Sequence, residues 1–279
     1  APALVAGNCA ILKPSEIAGL SCMFLSKLAQ DVGIPEGVFN IITGDRETGA
    51  ALVASPSVSM VSFTGSSLTG TKIMEASAPK LSQVALELGG KSAMVIFADT
   101  EIERAVEATI KGCLTNGGQI CTAHTRLIVQ EGIKDELLTK LKNVLEKIPY
   151  CRDPITERER GDRAWETGVT DVIQPVVSAS QHEKILGFLN EAEAASIEIY
   201  TGGGVPDLAD IKKSGGYFIQ PTILNNVPRD SDAWQKEIFG PVLSVRSFSN
   251  EAEAVTEANS TAFGLASTVM SSDPAKAMR

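Results

Sequence analysis

Two residues have the type and setting for covalent chemistry. Cys121 lies in "NGGQICTAHTR" (116–126), directly after Gly117 and Gly118 and in the polar company of Gln119, Thr122 and His124, which is foreign to a core cysteine. A thiolate adds to an electrophilic carbon when a base stands near or its pKa is lowered, and a glycine pair lets a substrate approach the backbone closely. The same local sequence also fits a structural cysteine in a strand–helix connection. Glu87 ends the apolar run of "QVALELGG" and precedes Gly89 and Gly90, which puts its carboxylate at the carboxyl end of a strand, where ligands of open α/β sheets bind. A carboxylate in such a place can act as a general base when burial raises its pKa, although a plain surface Glu at a strand end reads the same way.

Three further stretches have the chemistry of a nucleotide cleft. In "SFTGSSLTG" a strand feeds Gly65 and Ser66 into a helix start, where free backbone N–H groups attract anions. Gly65 and Gly70 do not make a full GxGxxG, and the Ser66 hydroxyl suits a helix cap as well as a phosphate. In "LKPSE", Lys13 at a strand end is followed by Glu16 in the first helical turn. A carboxylate accepting from ribose hydroxyls favours NAD over the 2′-phosphate of NADP. In "KEIFGPV", Glu237 and Phe239 stand before a rigid Gly-Pro turn, a pattern shared with a loop held by one buried anchor. His124 follows Cys121 too closely for the usual Cys–His catalytic pair, whose members come together from distant segments. A Cys113, Cys121 and His124 metal site has poor spacing and lacks a fourth ligand nearby, so no metal is expected.

The elements that must position these residues alternate. "CAILK", "VFNIIT", "VSMVSF", "QVALELGG", "AMVIF", "TRLIVQ", "SIEIYTGGG", "GYFIQPTIL", "GPVLSVRSF" and "GLASTVM" read as strands. Helical patterns occupy "SEIAGLSCMFLSKLAQDVG", "TGAALVA", "TGSSLTGTKIMEASA", "IERAVEATIKGCL", "KDELLTKLKNVLEKI", "SQHEKILGFLNEAEAA" and "NEAEAVTEANS". That alternation calls for an α/β fold with a parallel sheet covered by helices. Cys113 falls on an apolar helical stripe and is expected in the core. The stretch 150–171 is dense in charge without either hydrophobic period, the pattern of a solvated loop. The chain has 279 residues, 43% of them hydrophobic, and a net charge of −9; without a basic run, nucleic acid is not an expected partner. Its apolar runs fall far short of the roughly 20 residues of a bilayer span. Five scattered cysteines without a repeated CxxC argue against a disulfide framework and for the cytoplasm or another reducing compartment.

Taken in order, "LKPSE", "FTGSSLTG", "LELGGK", "GGQICT" and "EIFGPV" resemble the successive signatures of the NAD(P)-dependent aldehyde dehydrogenase superfamily. The 34 residues from Glu87 to Cys121 (121 − 87) match that family's spacing, and the similarity runs on through "GGYFIQPTIL" and "EANSTAFGLASTVMSSD". The resemblance implies a partial Rossmann-like cofactor domain over 1–88 and an α/β catalytic domain over 89–279. It implies that Cys121 is the catalytic thiol, forming a thiohemiacetal and then a thioester, and that Glu87 activates the water that releases the acid. It implies cofactor-binding roles for Lys13, Glu16, Gly44, Gly65, Ser66, Glu237 and Phe239, with NAD as the cofactor and NADP as the alternative. The partner is a small-molecule aldehyde, and the parent is expected to be a homodimer or homotetramer.

The resemblance also carries departures. The family's oxyanion Asn is expected before residue 1, so the chain reads as an internal fragment, inactive alone and prone to association through exposed apolar edges. The turn after Gly44, "DRETGAA", lacks the second glycine of relatives and is one residue shorter. "ALELGGKSAMVIF" and "TNGGQICTAHTRLIVQEGI" are most similar to the betaine-aldehyde and aminoaldehyde branch, yet Leu114 and Thr115 stand where that branch places an aromatic wall. The alternatives are a CoA-acylating relative, disfavoured by the presence of Glu87, and a fragment that binds nucleotide or a partner subunit without turnover.

Overall fold

A computed structural model describes residues 1–151 and 172–279. Apart from Tyr150 and Cys151, the stretch read as a solvated charged loop lies outside the described residues. The chain divides into two compact units, Ala1–Leu88 and Gly89–Arg279.

In the first unit a short helix α1 (Pro2–Val5) precedes β1 (Ala10–Leu12). A 3-10 turn at Glu16–Ala18 then runs into α2 (Gly19–Asp31), and the chain leaves that helix through Gly33 at φ +79°, a conformation that favours glycine. Next come β2 (Phe39–Ile41), α3 (Arg46–Ala54), β3 (Met60–Thr64), α4 (Ser67–Ser77) and β4 (Gln83–Glu87). β1 pairs with β2 and β3 with β4, both parallel, so each pair brings two carboxyl ends together. β3 and β4 alternate exposed and half-buried positions, the signature of strands covered on one face. α2 has no buried residue, and Leu20, Phe24 and Leu28 are exposed along one side of it.

The second unit is a six-stranded sheet covered on both faces. Its strands are β5 (Ala93–Ile96), β6 (Arg126–Gln130), β7 (Glu198–Thr201), β8 (Thr222–Asn225), β9 (Val242–Phe248) and β10 (Ser267–Met270), ordered β10-β5-β6-β9-β8-β7. All neighbours are parallel except β7, which runs antiparallel to β8 and caps the edge of the expected parallel sheet. "GYFIQPTIL" yields a shorter strand than its pattern suggested, because β8 begins only after Pro221, which has no N–H to give to a ladder.

The two-residue period of the strands sorts the core. Ala93, Val95, Phe97 and Ile128 face one layer, and Met94, Ile96, Leu127 and Val129 face the other. The first layer is closed by Ile185, Leu189 and Ala192 of α7 (Ala179–Ala194), by Trp234 of the short α9 (Asp232–Gln235) and by Ala254 of α10 (Glu251–Ala258). The second is closed by α5 (Ile102–Leu114) and α6 (Glu131–Leu145), whose Val106, Leu114, Leu138 and Leu141 recur at helical spacing. Two further short helices among the described residues are α8 (Ala209–Ser214) and α11 (Pro274–Met278). Cys113 is buried in the second layer, as its helical stripe predicted. No helix among the described residues is long and apolar enough to cross a membrane.

Candidate functional site

In the unit over 1–88 the sequence-selected residues gather at carboxyl ends of parallel strands. Lys13 follows β1, and its ammonium donates to the Gly44 carbonyl beyond β2 and to Pro14 O, each at 2.8 Å. It therefore ties the two strand ends together. Glu16 stands 3.7 Å from the same ammonium with a half-exposed side chain. Beside them opens a cavity of about 290 Å³ lined by Ser15, Glu16, Thr43, Gly44 and Asp45.

The second pair ends likewise. Thr64 is in register with Glu87, and Gly65 N–H donates to Glu87 O at 3.0 Å. The Glu87 side chain is exposed. Ser66 caps α4, its Oγ accepting from Thr69 N–H at 3.3 Å.

In the unit over 89–279 the polarity is reversed. Cys121 precedes β6, the Gly89–Gly90 pair precedes β5, and Glu237 and Phe239 precede β9. These three strands are parallel neighbours, so three segments distant in sequence meet at their amino ends. Gly90 is the hinge of the group. Its N–H donates to the Glu237 carboxylate at 3.1 Å, and a β-carbon on it would stand 2.4 Å from the Cys121 carbonyl oxygen. A β-carbon on Gly89 would meet the same Glu237 carboxylate at 2.6 Å. Cys121 is half-buried, and the Cys121 and Glu237 segments share one wall.

The glycines before Cys121 have a different purpose from the one their flexibility suggested. Asn116, Gly117 and Gly118 all have positive φ, and Gly118 is pressed so close to the Gly240 carbonyl that a β-carbon would lie 2.2 Å from that oxygen. They let two backbones touch and bring the Cys121 turn against the Glu237–Gly240 turn. Gln119 fixes the turn from within: its amide donates to Asn116 O at 3.1 Å while its Oε1 accepts from Val177 N–H at 2.9 Å. His124 is not a base for the thiol here. Its Nε2 pairs with the Thr268 hydroxyl at 2.9 Å on β10, its backbone N–H donates to Gly112 O at 2.9 Å, and burial lowers its pKa.

Two residues of this neighbourhood carried no signal that singled them out. Gln181, in the first turn of α7, donates from Nε2 to Ile238 O at 3.0 Å and Phe239 O at 2.8 Å. Phe239 has φ +60°, costly for a bulky residue, so Gln181 holds a strained turn in place. Lys91 follows Gly90; it is 1% exposed, and its ammonium has no hydrogen-bond partner among the described residues. Burial, with the Arg126 charge second, brings its pKa down to about 7, against a smaller upward pull from the Cys113 and Glu237 charges. Burial likewise pushes the Cys113 thiol up to about 12, which removes it as a rival nucleophile. No group of three or more His, Cys, Asp or Glu residues suited to a metal occurs among the described residues.

Comparison with known proteins adds an independent line. The aldehyde dehydrogenase family model matches residues 1–279. Among curated relatives, the chain is 45% identical over 274 residues to a peroxisomal aminoaldehyde dehydrogenase 2 of Pisum sativum and 43% identical to a chloroplastic betaine aldehyde dehydrogenase of Beta vulgaris. Each alignment covers 98% of this chain and 51% of the relative, so the chain spans about half the length of the curated relatives it matches. Among solved structures, a betaine aldehyde dehydrogenase of Staphylococcus aureus in complex with NAD+ superposes with a TM-score of 0.90 at 36% identity, covering 100% of this chain and 53% of that one. An NAD-dependent aldehyde dehydrogenase of Sinorhizobium meliloti superposes at 0.85 with 33% identity, covering 97% and 50%.

Proposed function

The chain belongs to the aldehyde dehydrogenase family, and from that premise we propose that the protein oxidises an aldehyde to its carboxylic acid with NAD, through a thioester on Cys121. The observation that carries the proposal is the meeting of Cys121, Gly90 and Glu237 at the amino ends of β6, β5 and β9. It combines a half-buried thiol, held by backbone contact on a close-packed turn, with a carboxylate suited to a ribose.

The cofactor fits the residues present. The cavity between the ends of β1 and β2 has a volume of about 290 Å³ and Glu16 on its wall, an acceptor for sugar hydroxyls. Lys13, Glu16 and Gly44 would hold the adenosine end, Gly65 and Ser66 the diphosphate, and Glu237 with Phe239 the nicotinamide ribose. NAD, when bound, supplies the hydride acceptor.

The chain's own groups do the rest. The Cys121 thiolate adds to the aldehyde carbon, and the backbone N–H of Cys121 would donate to the tetrahedral oxyanion. Oxidation leaves an acyl group on Sγ. Glu87 takes a proton from water, whose oxygen attacks the thioester carbon, and the thiol leaves as the acid departs. Phe239, held by Gln181, keeps the ribose end in position.

For the substrate, we propose an aldehyde carrying an amino or ammonium group, the class named by the curated relatives. Leu114 is buried in the core and Thr115 donates to Lys111 O at 2.5 Å, so neither position gives an aromatic face to a cation. The panel that decides between aldehydes therefore includes betaine aldehyde, a primary aminoaldehyde and an uncharged aldehyde of equal length. NADH formation across the panel, with Cys121→Ser and Glu87→Gln alongside, tests the mechanism. Loss of turnover in the first variant and accumulation of acyl-enzyme in the second are expected; full turnover in either overturns the role given to that residue. Product capture by CoA in place of water would favour an acylating enzyme instead.

A further inference from the structure

We propose that Asp45 makes the cleft at the ends of β1 and β2 refuse a 2′-phosphate, so that NADP is rejected by two carboxylates of one cavity instead of by Glu16 alone. The inference rests on the reading of that cleft as the adenosine site.

A turn that leaves a strand and opens a helix normally presents its first backbone N–H groups to an anion. Here the chain fills that position itself. Asp45 is the N-cap of α3, and its carboxylate accepts from Glu47 N–H at 2.9 Å and Thr48 N–H at 3.3 Å. The donors that a phosphate would seek are occupied, and the charge that occupies them is negative. Glu47 adds a second acidic residue to the same helical turn.

Glu16 lines the same cavity as Asp45. The cation nearest to hand, Lys13, already donates to Gly44 O and Pro14 O and stands beside Glu16. Neither Lys nor Arg is among the lining residues, and the adjacent Arg46 is exposed on the first turn of α3. A ribose hydroxyl can donate to either carboxylate. A 2′-phosphate carries about two negative charges at neutral pH, so it meets repulsion from both carboxylates, with only the Ser15 and Thr43 hydroxyls and no cation among the lining side chains to offset it.

The test is binding, not turnover. Affinities of 5′-AMP and 2′,5′-ADP for the protein, measured by calorimetry in competition with NAD, read the adenosine end directly. Asp45→Asn keeps the cap, because Asn is as good an N-cap as Asp, and removes the charge; Asp45→Ser is a second capping variant should the first fold poorly. The wild type is expected to prefer 5′-AMP by at least about tenfold, and the Asn variant to shrink that preference about tenfold while 5′-AMP affinity changes little. An unchanged preference in both variants, or a preference abolished only by Glu16→Gln, overturns the role of Asp45 while leaving the adenosine site intact. Failure of both nucleotides to compete with a demonstrably bound NAD overturns the adenosine reading itself, and the inference with it.

Discussion

Replacing Lys91 with Met should stabilise the protein by an amount that shrinks as pH rises. Lys91 is buried at 1% exposure, and its ammonium has no hydrogen-bond partner among the described residues; its pKa falls from 10.5 to about 7, first through burial and then through the Arg126 charge. Because the folded value lies below the unfolded one, the unfolded chain holds the extra proton between those limits, and stability rises with pH across that window. At about 1.4 kcal/mol per unit, the group costs roughly 4 kcal/mol at pH 7 and roughly 2 kcal/mol at pH 9. Met has similar length and no charge, so the variant should recover most of that cost at neutral pH and less at pH 9. Urea titrations followed by tryptophan fluorescence at several pH values between 7 and 9 provide the assay, since Trp165 and Trp234 both lie within 89–279. Convergence of the two proteins by about 2 kcal/mol over that range is expected. A difference that stays constant with pH would show that the amine keeps its proton in the fold, and would refute the argument from burial.

Two other perturbations read different parts of the same unit. Gln181→Ala removes both hydrogen bonds to the Ile238–Phe239 carbonyls, at a cost of roughly 1–2 kcal/mol. NAD affinity should fall by up to about tenfold while the KM for aldehyde holds; an equal loss in both would place Gln181 in general folding only. Glu257 is buried between Arg229 at 2.6 Å and Arg246 at 2.9 Å. Its pKa is lowered because, although desolvation raises it, the hydrogen bonds and charges of Arg246 and Arg229 together outweigh burial. Its contribution is therefore present above the unfolded carboxylate range and lost as pH falls through the folded value. Glu257→Gln should destabilise by roughly 2–4 kcal/mol at pH 7 and flatten the acid limb of the stability profile; an unchanged acid limb in calorimetric melts would contradict this.

What the sequence disclosed of this molecule was whatever repeats along one segment. The amphipathic stripe of α5 put Cys113 in the core, and Gly33 marked the end of α2. Strand direction leaves no such trace: β7 has the composition of its neighbours, and a connection long enough to hold α8 could return the chain to β8 in either direction. Gln181 resembles any polar residue near the start of an amphipathic helix, because its meaning resides in two carbonyls more than fifty residues away. Lys91 was hidden for the opposite reason. A lysine beside a Gly-Gly pair reads as solvated until the strand after it proves to be buried on both faces.

The Cys121 group shows why residue type and order located the chemistry when local sequence could not. A parallel sheet aligns the amino ends of neighbouring strands whatever the separation between them in the chain, so β5, β6 and β9 deliver Gly90, Cys121 and Glu237 to one place. The contact that joins them is made by backbone: a carbonyl on Gly90, an N–H to a carboxylate, Gly118 against Gly240. At Gly90 and Gly118 these contacts forbid a β-carbon, and Glu237 alone contributes a side chain to them, which is why the three segments look like unrelated glycine turns when read singly. Only their fixed order along the chain distinguishes them from ordinary loops. The thiol's position is thus set by the absence of β-carbons around it, and a methyl group at Gly90 or Gly118 would displace the Cys121 turn without touching the sulfur.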